Sequence, residues 1–517
     1  MNRPLHPLNN LRNDLPASVV VFLVALPLCL GVALASGAPL FSGIISGIIG
    51  GIVIGAVSKS ALSVSGPAAG LTTIVFAAIQ QLGSYPIFLV AVVLAGLMQL
   101  GLGLARAGTI GNYFPSSVIK GMLAAIGLTL ILKQIPHAVG YDNDFIGDES
   151  FMQADGENTF TEILKAFDYI HPGAVVICLI SIAILLLWER PFIRTTVFSK
   201  IIPAPLVVVI VGILLNEVFR NFANGLLIST EHLVSLPVAD SLPAFFSQFT
   251  FPAFSALTNP DVWVVAITIA VVASLESLLS IDAIDKLDPY KRLTPLNREL
   301  KAQGIGNVVS GLIGGLPVTS VIVRSSANVG SGARTKTSAI AHGVLLLITA
   351  MVIPGLLNKI PLSSLAAILL MVGWKLTKPS LIIDMYKKGW EQFIPFAVTI
   401  LAILFTNLLQ GIFIGLGVGL VFVLRSNFHQ ALFCVKEGNR YLVRLTKDVS
   451  FLNKALLRHT LREIPDNSNV IIDGTRSAFI DNDIIETIQD FQQAALSRNI
   501  TVELNQSVSA PNSIFKA

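Results

Sequence analysis

Long apolar runs, separated by short clusters of polar and charged residues, set the pattern of this chain from residue 18 to about residue 420. A helix needs about 20 predominantly apolar residues to cross ~30 Å of hydrocarbon. Runs of this kind predict membrane helices over 18–35, 86–104, 174–187, 203–215, 262–279, 339–353 and 393–420, several of them short or broken by glycine. Beyond Arg425 the period changes. Short β-type runs (YLVRL, NVIIDG, ITVEL) alternate with helical patterns over 454–462 and 483–497, an order that predicts a small soluble α/β domain. The predicted organisation is a cytoplasmic segment 1–16, a membrane domain 17–426, a linker 427–440, the α/β domain 441–510 and a tail 511–517.

Composition sharpens the class. Of 517 residues, 53% are hydrophobic and 13% charged, and the mean hydropathy is +0.74, values of a polytopic α-helical membrane protein rather than of a globule with a large core. Three cysteines, Cys29, Cys178 and Cys434, are too scattered for a disulfide framework or a metal cluster. No small-residue cleavage site follows the first apolar run, so no signal peptide is expected to be removed.

Charge gives orientation. Between Asp14 and Asp142 there is no acidic residue, while Lys59, Arg106, Lys120 and Lys133 are present. From Asp142 to Glu162 the only charges are acids, and the later segments WERPFIRTTVFSK, SGARTKTS and WKLTKPSLIIDMYKKGW are net basic. Basic loops collect on the cytoplasmic side. Placing them there works for about fourteen membrane segments, with both termini cytoplasmic in the cell inner (plasma) membrane.

Two interrupted segments carry the candidate chemistry. SVSGPAAGLTTIVFAA in the first half and GGLPVTSVIVRSSANV in the second each place glycine and proline ahead of small and β-branched residues. Paired breaks in the two halves of a membrane protein point to a transport site at mid-bilayer. Pro67 and Pro317 are expected at or near the first helical position, with the amides of Ala68, Ala69, Thr319 and Ser320 turned toward the membrane centre. Two helix amino termini that face each other attract an anion. Arg324 follows within one to two turns, and a charge at mid-membrane costs at least ~2.5–3.5 kcal/mol, so a functional role is expected for it. Glu276, with Ser280 four residues on along the same helical face, is the other intramembrane charge; it suits a coupling cation, a proton or a counter-ion to Arg324. Gly43, Gly47, Gly51 and Gly55 recur every four residues and predict a close helix-packing face. No phosphate-binding GxxxxGK[ST] loop, nucleophile elbow or histidine pair at metal-ligand spacing occurs, so neither an enzyme, a cofactor site nor nucleic-acid binding is expected.

These segments resemble the SulP family of anion transporters, relatives of the animal sulfate-transporter and prestin group, over nearly the whole chain. The longest matching stretch is RELKAQGIGNVVSGLIGGLPVTSVIVRSSANVGSGARTKTSAIAHG, with LVALPLCLGVALASG, SVSGPAAG and ASLESLLSIDAIDK before it. The resemblance implies fourteen segments in two inverted sevens, a core half moving against a gate half as an elevator, a carboxy-terminal STAS domain and a homodimer. It places the anion at Ala68, Ala69, Thr319, Ser320, Val321 and Arg324. By analogy with the family's sodium-coupled bicarbonate transporters it places a coupling cation, Na+ or H+, at Glu276, Ser280, Ser320, Val321 and Ile322, the last standing where a hydroxyl would help ligate sodium. Leu28 stands where many relatives carry glutamine, and Asp481, Asn482 and Asp483 where phosphorylatable relatives carry serine. The resulting expectation is secondary uptake of bicarbonate, with exchange of sulfate, another oxyanion or chloride as the alternative. An uncoupled channel and a STAS-based scaffold that recruits a carbonic anhydrase are the further readings.

Overall fold

The computed structural model describes residues 10–142, 151, 157–194, 196, 202–235, 245–352, 354–429, 432–445, 449–477 and 479–505. Most of the expected amino-terminal segment, the acids Asp144, Asp148, Glu149 and Asp155 and the tail 511–517 lie outside these residues. The chain divides into two compact units, residues 1–416 and 417–517.

Among the described residues ahead of the sheet the helices include, in order, α1 (Leu11–Ala35), α2 (Leu40–Val57), α3 (Ala69–Leu82), α4 (Tyr85–Leu104), α5 (Ser116–Val139), α6 (Pro172–Trp188), α7 (Ala204–Phe222), α8 (Pro260–Leu287), α9 (Leu296–Leu312), α10 (Ile322–Gly330), α11 (Thr337–Val352), α12 (Leu362–Leu376), α13 (Trp390–Phe405) and α14 (Leu408–His429), with shorter helices at Thr159–Ala166, Pro191–Arg194, Pro354–Leu357 and Pro379–Lys387 between them. Seven helices among the described residues are long and apolar enough to span a bilayer: α1, α2, α4, α5, α7, α8, and α12 with its continuation to Lys387. A broken pair, 159–169 and α6, bends by 113°, and α3, α11, α13 and the apolar part of α14 are shorter. The predicted run 393–420 is therefore two helices turning back at Thr406–Asn407. Three of these seven long helices escaped the hydrophobic pattern: α2 is diluted by glycine and serine, α5 by Lys120 and Lys133, and α12 by two serines at its start.

Helix contacts fall into two groups. In the first, α4 packs on α8 and α9, and α1 on α2, α10 and α11; in the second, α5 packs on α12 and α13, and α6 on α7 and α12. Glycine sets the closeness of the first group. A Cβ on Gly43 would lie 1.9 Å from the Cys29 carbonyl oxygen of α1, and one on Gly51 would lie 2.6 Å from the Gly343 Cα of α11. The four-residue glycine repeat is thus a packing face, as its spacing predicts. Lys133, counted above among basic loop residues, instead sits within α5, buried and 3.6 Å from Glu162. An ammonium at that depth is retained because a carboxylate accompanies it.

The second unit holds a four-stranded sheet in the order β3 (Leu432–Glu437), β4 (Arg440–Leu445), β5 (Asn469–Asp473), β6 (Thr501–Asn505). β3 and β4 pair antiparallel; β4, β5 and β6 run parallel, joined through α15 (Lys454–Arg462) and α16 (Asn482–Ser497). Val443, Leu445, Leu457, Val470, Ile472, Ile484 and Ile488 build its core. β3 occupies 432–437, inside the stretch read as linker. Its side chains Phe433 to Glu437 are exposed, so it lacks the buried alternation by which a strand is recognised from sequence.

Candidate functional site

The two interrupted segments meet. Each contributes an extended triplet, β1 (Ser65–Pro67) and β2 (Val318–Ser320), and the triplets pair antiparallel with Ser65 opposite Ser320, Gly66 opposite Thr319 and Pro67 opposite Val318. α3 begins directly after β1 and α10 directly after β2, so both short helices start from one two-stranded ribbon. The prolines are not first helical residues. Pro67 lies in β1 and Pro317 just before β2, where their missing N–H groups spare the ribbon's ends.

Backbone donors are distributed differently from the expectation. Thr319 is committed to the ladder opposite Gly66, and the Ser320 N–H donates to the Ser277 hydroxyl of α8 at 3.3 Å. The amides that begin the helices are those of 69–70 and 322–324, because the first turn of a helix lacks intrahelical acceptors for its N–H groups. Ala68 is extended and buried, and its carbonyl accepts from the Leu71 N–H at 3.2 Å; Ala69 is half-buried. Val321 is the residue before α10, and its N–H donates to the Val64 carbonyl at 3.0 Å. Of the proposed anion contacts, Thr319 and Ser320 therefore build the ribbon, while the amides of Ala69, Ile322 and Val323 open the helices.

Arg324 lies in the first turn of α10 and is 1% exposed. Its guanidinium rests against the ribbon, so closely that a Cβ on Gly66 would sit 2.0 Å from Nη1. Gly47 and Cys29 border the same space. Nε and Nη1 have no hydrogen-bond partner. The side chain thus does not reach the surface, and Cys29 is the polar neighbour its charge acts on. Nearby His342 donates through Nδ1 to the Ala339 carbonyl at 2.8 Å, which leaves Nε2 unpartnered.

Glu276 is 6% exposed and faces the start of α3, where a Cβ on Gly70 would lie 3.2 Å from Oε1. Around Ser320 the hydroxyls assemble: Ser63 and Ser320 share a hydrogen bond of 2.6 Å, beside Ser277. Ser280 is buried one turn further along α8, and Ile322 packs into the apolar core near Leu279. The structure thus brings Glu276, Ser277, Ser320 and Ser63 to one side of the ribbon.

Behind the ribbon lies a polar network that the sequence reading missed. Asn307 of α9 accepts from the Val318 N–H at 2.6 Å, and donates to the Val318 carbonyl at 3.0 Å and to Gln99 Oε1 at 2.6 Å. Gln303 donates to Ser65 Oγ at 2.9 Å and to Glu299 at 2.8 Å, and the Ser58 hydroxyl donates to the other Glu299 oxygen. Asn328 donates to the Leu62 carbonyl at 2.9 Å. Gln99, Gln303, Asn307 and Asn328 are all buried polar side chains within helices, and their spacing carries no signal because they serve an element distant in sequence.

The model of the sulfate permease family matches residues 11–399. The chain belongs to the sulfate permease family. Among relatives in that family, "Putative sulfate transporter YvdB" of Bacillus subtilis is 29% identical over 81% of this chain and 74% of its own length. "Bicarbonate transporter BicA" of Picosynechococcus is 24% identical over 80% of this chain and 69% of its own. The solved structure of SLC26A9 overlays with a TM-score of 0.68 at 16% identity, covering 98% of this chain and 87% of that one. The transmembrane domain of a cyanobacterial BicA overlays at 0.54 and 23% identity, covering 80% and 98%. Sulfate permease members of this kind are membrane transporters, not enzymes, and the fold here is that of a polytopic helical membrane transporter.

Proposed function

We propose that the protein is a secondary active transporter of a small inorganic anion, bicarbonate in the first instance, driven inward with Na+ or H+. The buried guanidinium of Arg324, whose Nε and Nη1 have no acceptor among the described residues, carries this reading. A buried cation with no carboxylate paired to it among the described residues is costly unless an anion neutralises it for part of the cycle. The anion sits at the junction of α3 and α10, held by the opening amides of both helices and attracted by Arg324. Ala68 and Ala69 offer no side-chain donors, so backbone groups and a single positive charge do the binding, which matches a monovalent oxyanion better than a divalent one.

The coupling cation binds on the α8 side, at Glu276 with the Ser320 hydroxyl and the Val321 carbonyl, and Ser277 and Ser63 join or replace Ser280 and Ile322 in that role. Two groups of helices supply the parts of an elevator. α1–α4 with α8–α11 form the moving core, and α5–α7 with α12–α14 form the gate, two inverted sevens whose third members meet at β1 and β2. The α/β domain, read as 441–510 and extended by β3 to Leu432, acts as a STAS domain on the cytoplasmic side of the plasma membrane, in a homodimer, and its exposed surface is where a carbonic anhydrase would dock.

Proteoliposome uptake of labelled bicarbonate, with and without an inward Na+ or H+ gradient, tests the reading. Gradient-driven bicarbonate accumulation is expected. Absence of bicarbonate uptake beside robust sulfate uptake overturns it in favour of a sulfate transporter, and flux that ignores both gradients points to a channel. Glu276→Gln is expected to remove the dependence on the gradient while facilitated anion exchange persists; retention of full gradient-driven accumulation would take Glu276 out of coupling.

A further inference from the structure

The histidines look dispersed in sequence, yet three of the seven converge at one end of the second helix group. Asp142, just past α5, is only 4% exposed at its side chain, and each of its oxygens accepts a hydrogen bond from a different imidazole. His137 Nδ1, in the last turn of α5, donates to Oδ1 at 2.6 Å, and His232 Nδ1, in the turn 230–232, donates to Oδ2 at 2.5 Å. His171, the residue that caps α6, has its ring 5.9 Å from that of His232, and its Nδ1 accepts from the Ala174 N–H at 3.4 Å.

The bridge joins segments that also pack on one another, Leu226, Ile228 and Leu233 sharing an apolar cluster with Ala174, Ile177 and Phe219. Residues 224–235 follow α7 and are further fastened by the Ile228 N–H to Asn216 of α7 and by the Val234 N–H to the Ile360 carbonyl just ahead of α12. Asp142 adds the ends of α5 and, through His171, of α6. We propose that His137, Asp142 and His232, with His171 beside them, form a pH-sensitive latch that fastens residues 224–235 to the ends of α5 and α6.

The other charged groups facing it among the described residues are Glu231 in the same turn, the Lys133–Glu162 pair one turn back along α5, and the Lys359–Glu217 pair between the approach to α12 and α7. None of these supplies Asp142 with a further cation at contact distance. Two of the histidines respond to pH in opposite senses. The hydrogen bond to Asp142 outweighs burial and raises the pKa of His232 above the ordinary 6.5. Its contribution is thus complete below 6.5 and fades as pH rises through the raised value. Burial, reinforced by His232, lowers that of His171, so its neutral capping form persists until pH falls below 6.5. Burial works against the ionised form of Asp142, but its two imidazole donors prevail and keep it below the usual carboxylate value. The latch therefore loosens on the alkaline side through His232 and on the acid side through loss of the α6 cap.

Hydrogen exchange of the full chain in lipid nanodiscs, where both faces meet the same buffer, reads the latch without assuming an orientation. After correction for intrinsic exchange chemistry, protection of residues 224–235 is expected to fall several-fold between about pH 6.5 and about pH 8.5. In His232→Asn, whose side-chain amide can donate in place of Nδ1 but does not titrate, that alkaline loss is expected to vanish, while α8 peptides stay equally protected in both proteins. A flat wild-type profile overturns the proposal, and so does an alkaline loss that persists in His232→Asn. The wild-type profile decides alone should the variant not fold.

Discussion

Arg324→Gln is expected to abolish concentrative anion uptake while leaving the purified protein at least as resistant to heat as its parent. The guanidinium is buried to 1% exposure with Nε and Nη1 unpartnered, so in the absence of an anion it burdens the fold. Removing an uncompensated buried charge relieves a desolvation cost, whereas removing half of a satisfied pair would destabilise by about 3–5 kcal/mol. The same change deletes a charge-assisted contact of about 1.5–3 kcal/mol with the anion, or about 10- to 150-fold in affinity. Thermal unfolding and uptake must therefore separate. Saturating bicarbonate is expected to raise the unfolding midpoint of the wild type and not of Arg324→Gln, since only a protein that binds the ligand gains by mass action. A large drop in midpoint together with lost uptake would instead make Arg324 a structural residue, and retained uptake would remove it from the site.

Gly43→Ala is expected to damage folding itself. The added Cβ would lie 1.9 Å from the Cys29 carbonyl oxygen and 2.7 Å from its carbon, and backbone cannot yield as a flexible side-chain tip can. α1 and α2 must move apart, and overpacking of this kind costs about 1–3 kcal/mol. Because α1 also packs on α10, the displacement reaches the ribbon. Gly101→Ala on α4 is the matched control: nothing lies within 4 Å of its Cβ position, so better helix propensity is the only expected effect there. Unfolding midpoints and the monodisperse yield of the two variants in detergent check the contrast. Equal behaviour of Gly43→Ala and the control would show that the α1–α2 interface can open without loss.

Much of the candidate site was legible as pattern, because lone charges and paired breaks stand out in an apolar chain. A lone arginine among small residues stands out against apolar surroundings, and so does a glutamate preceded by a turn of Val and Ala. Two Gly/Pro breaks stand out as well, since they recur at corresponding places in the two halves of the apolar region. The prolines themselves misled, because the same residue suits a helix start and the end of a two-residue-period strand, and only the partner strand discriminates. β1 and β2 are each three residues long, shorter than any pattern that periodicity detects. α9 was hidden for a different reason. Arg298, Glu299, Lys301, Gln303 and Asn307 make it look like a surface helix, yet Glu299, Gln303 and Asn307 are fully buried, turned to the ribbon and its supports.

What the sequence determined by itself is what depends on composition and on short local runs: the membrane class, several of the long apolar helices, the two breaks, Arg324 and Glu276 as lone charges in small-residue and apolar runs, the glycine packing face and the α/β pattern after Arg425. What only the tertiary structure decided is which groups meet. Gly66 lies against Arg324, Ser63 joins Ser320, Asn307 holds Val318, and Asp142 gathers His137 and His232 from segments nearly a hundred residues apart. A hydrogen bond is specified by atoms brought within about 3 Å, and residues distant along the chain reach that separation only after the helices between them have packed.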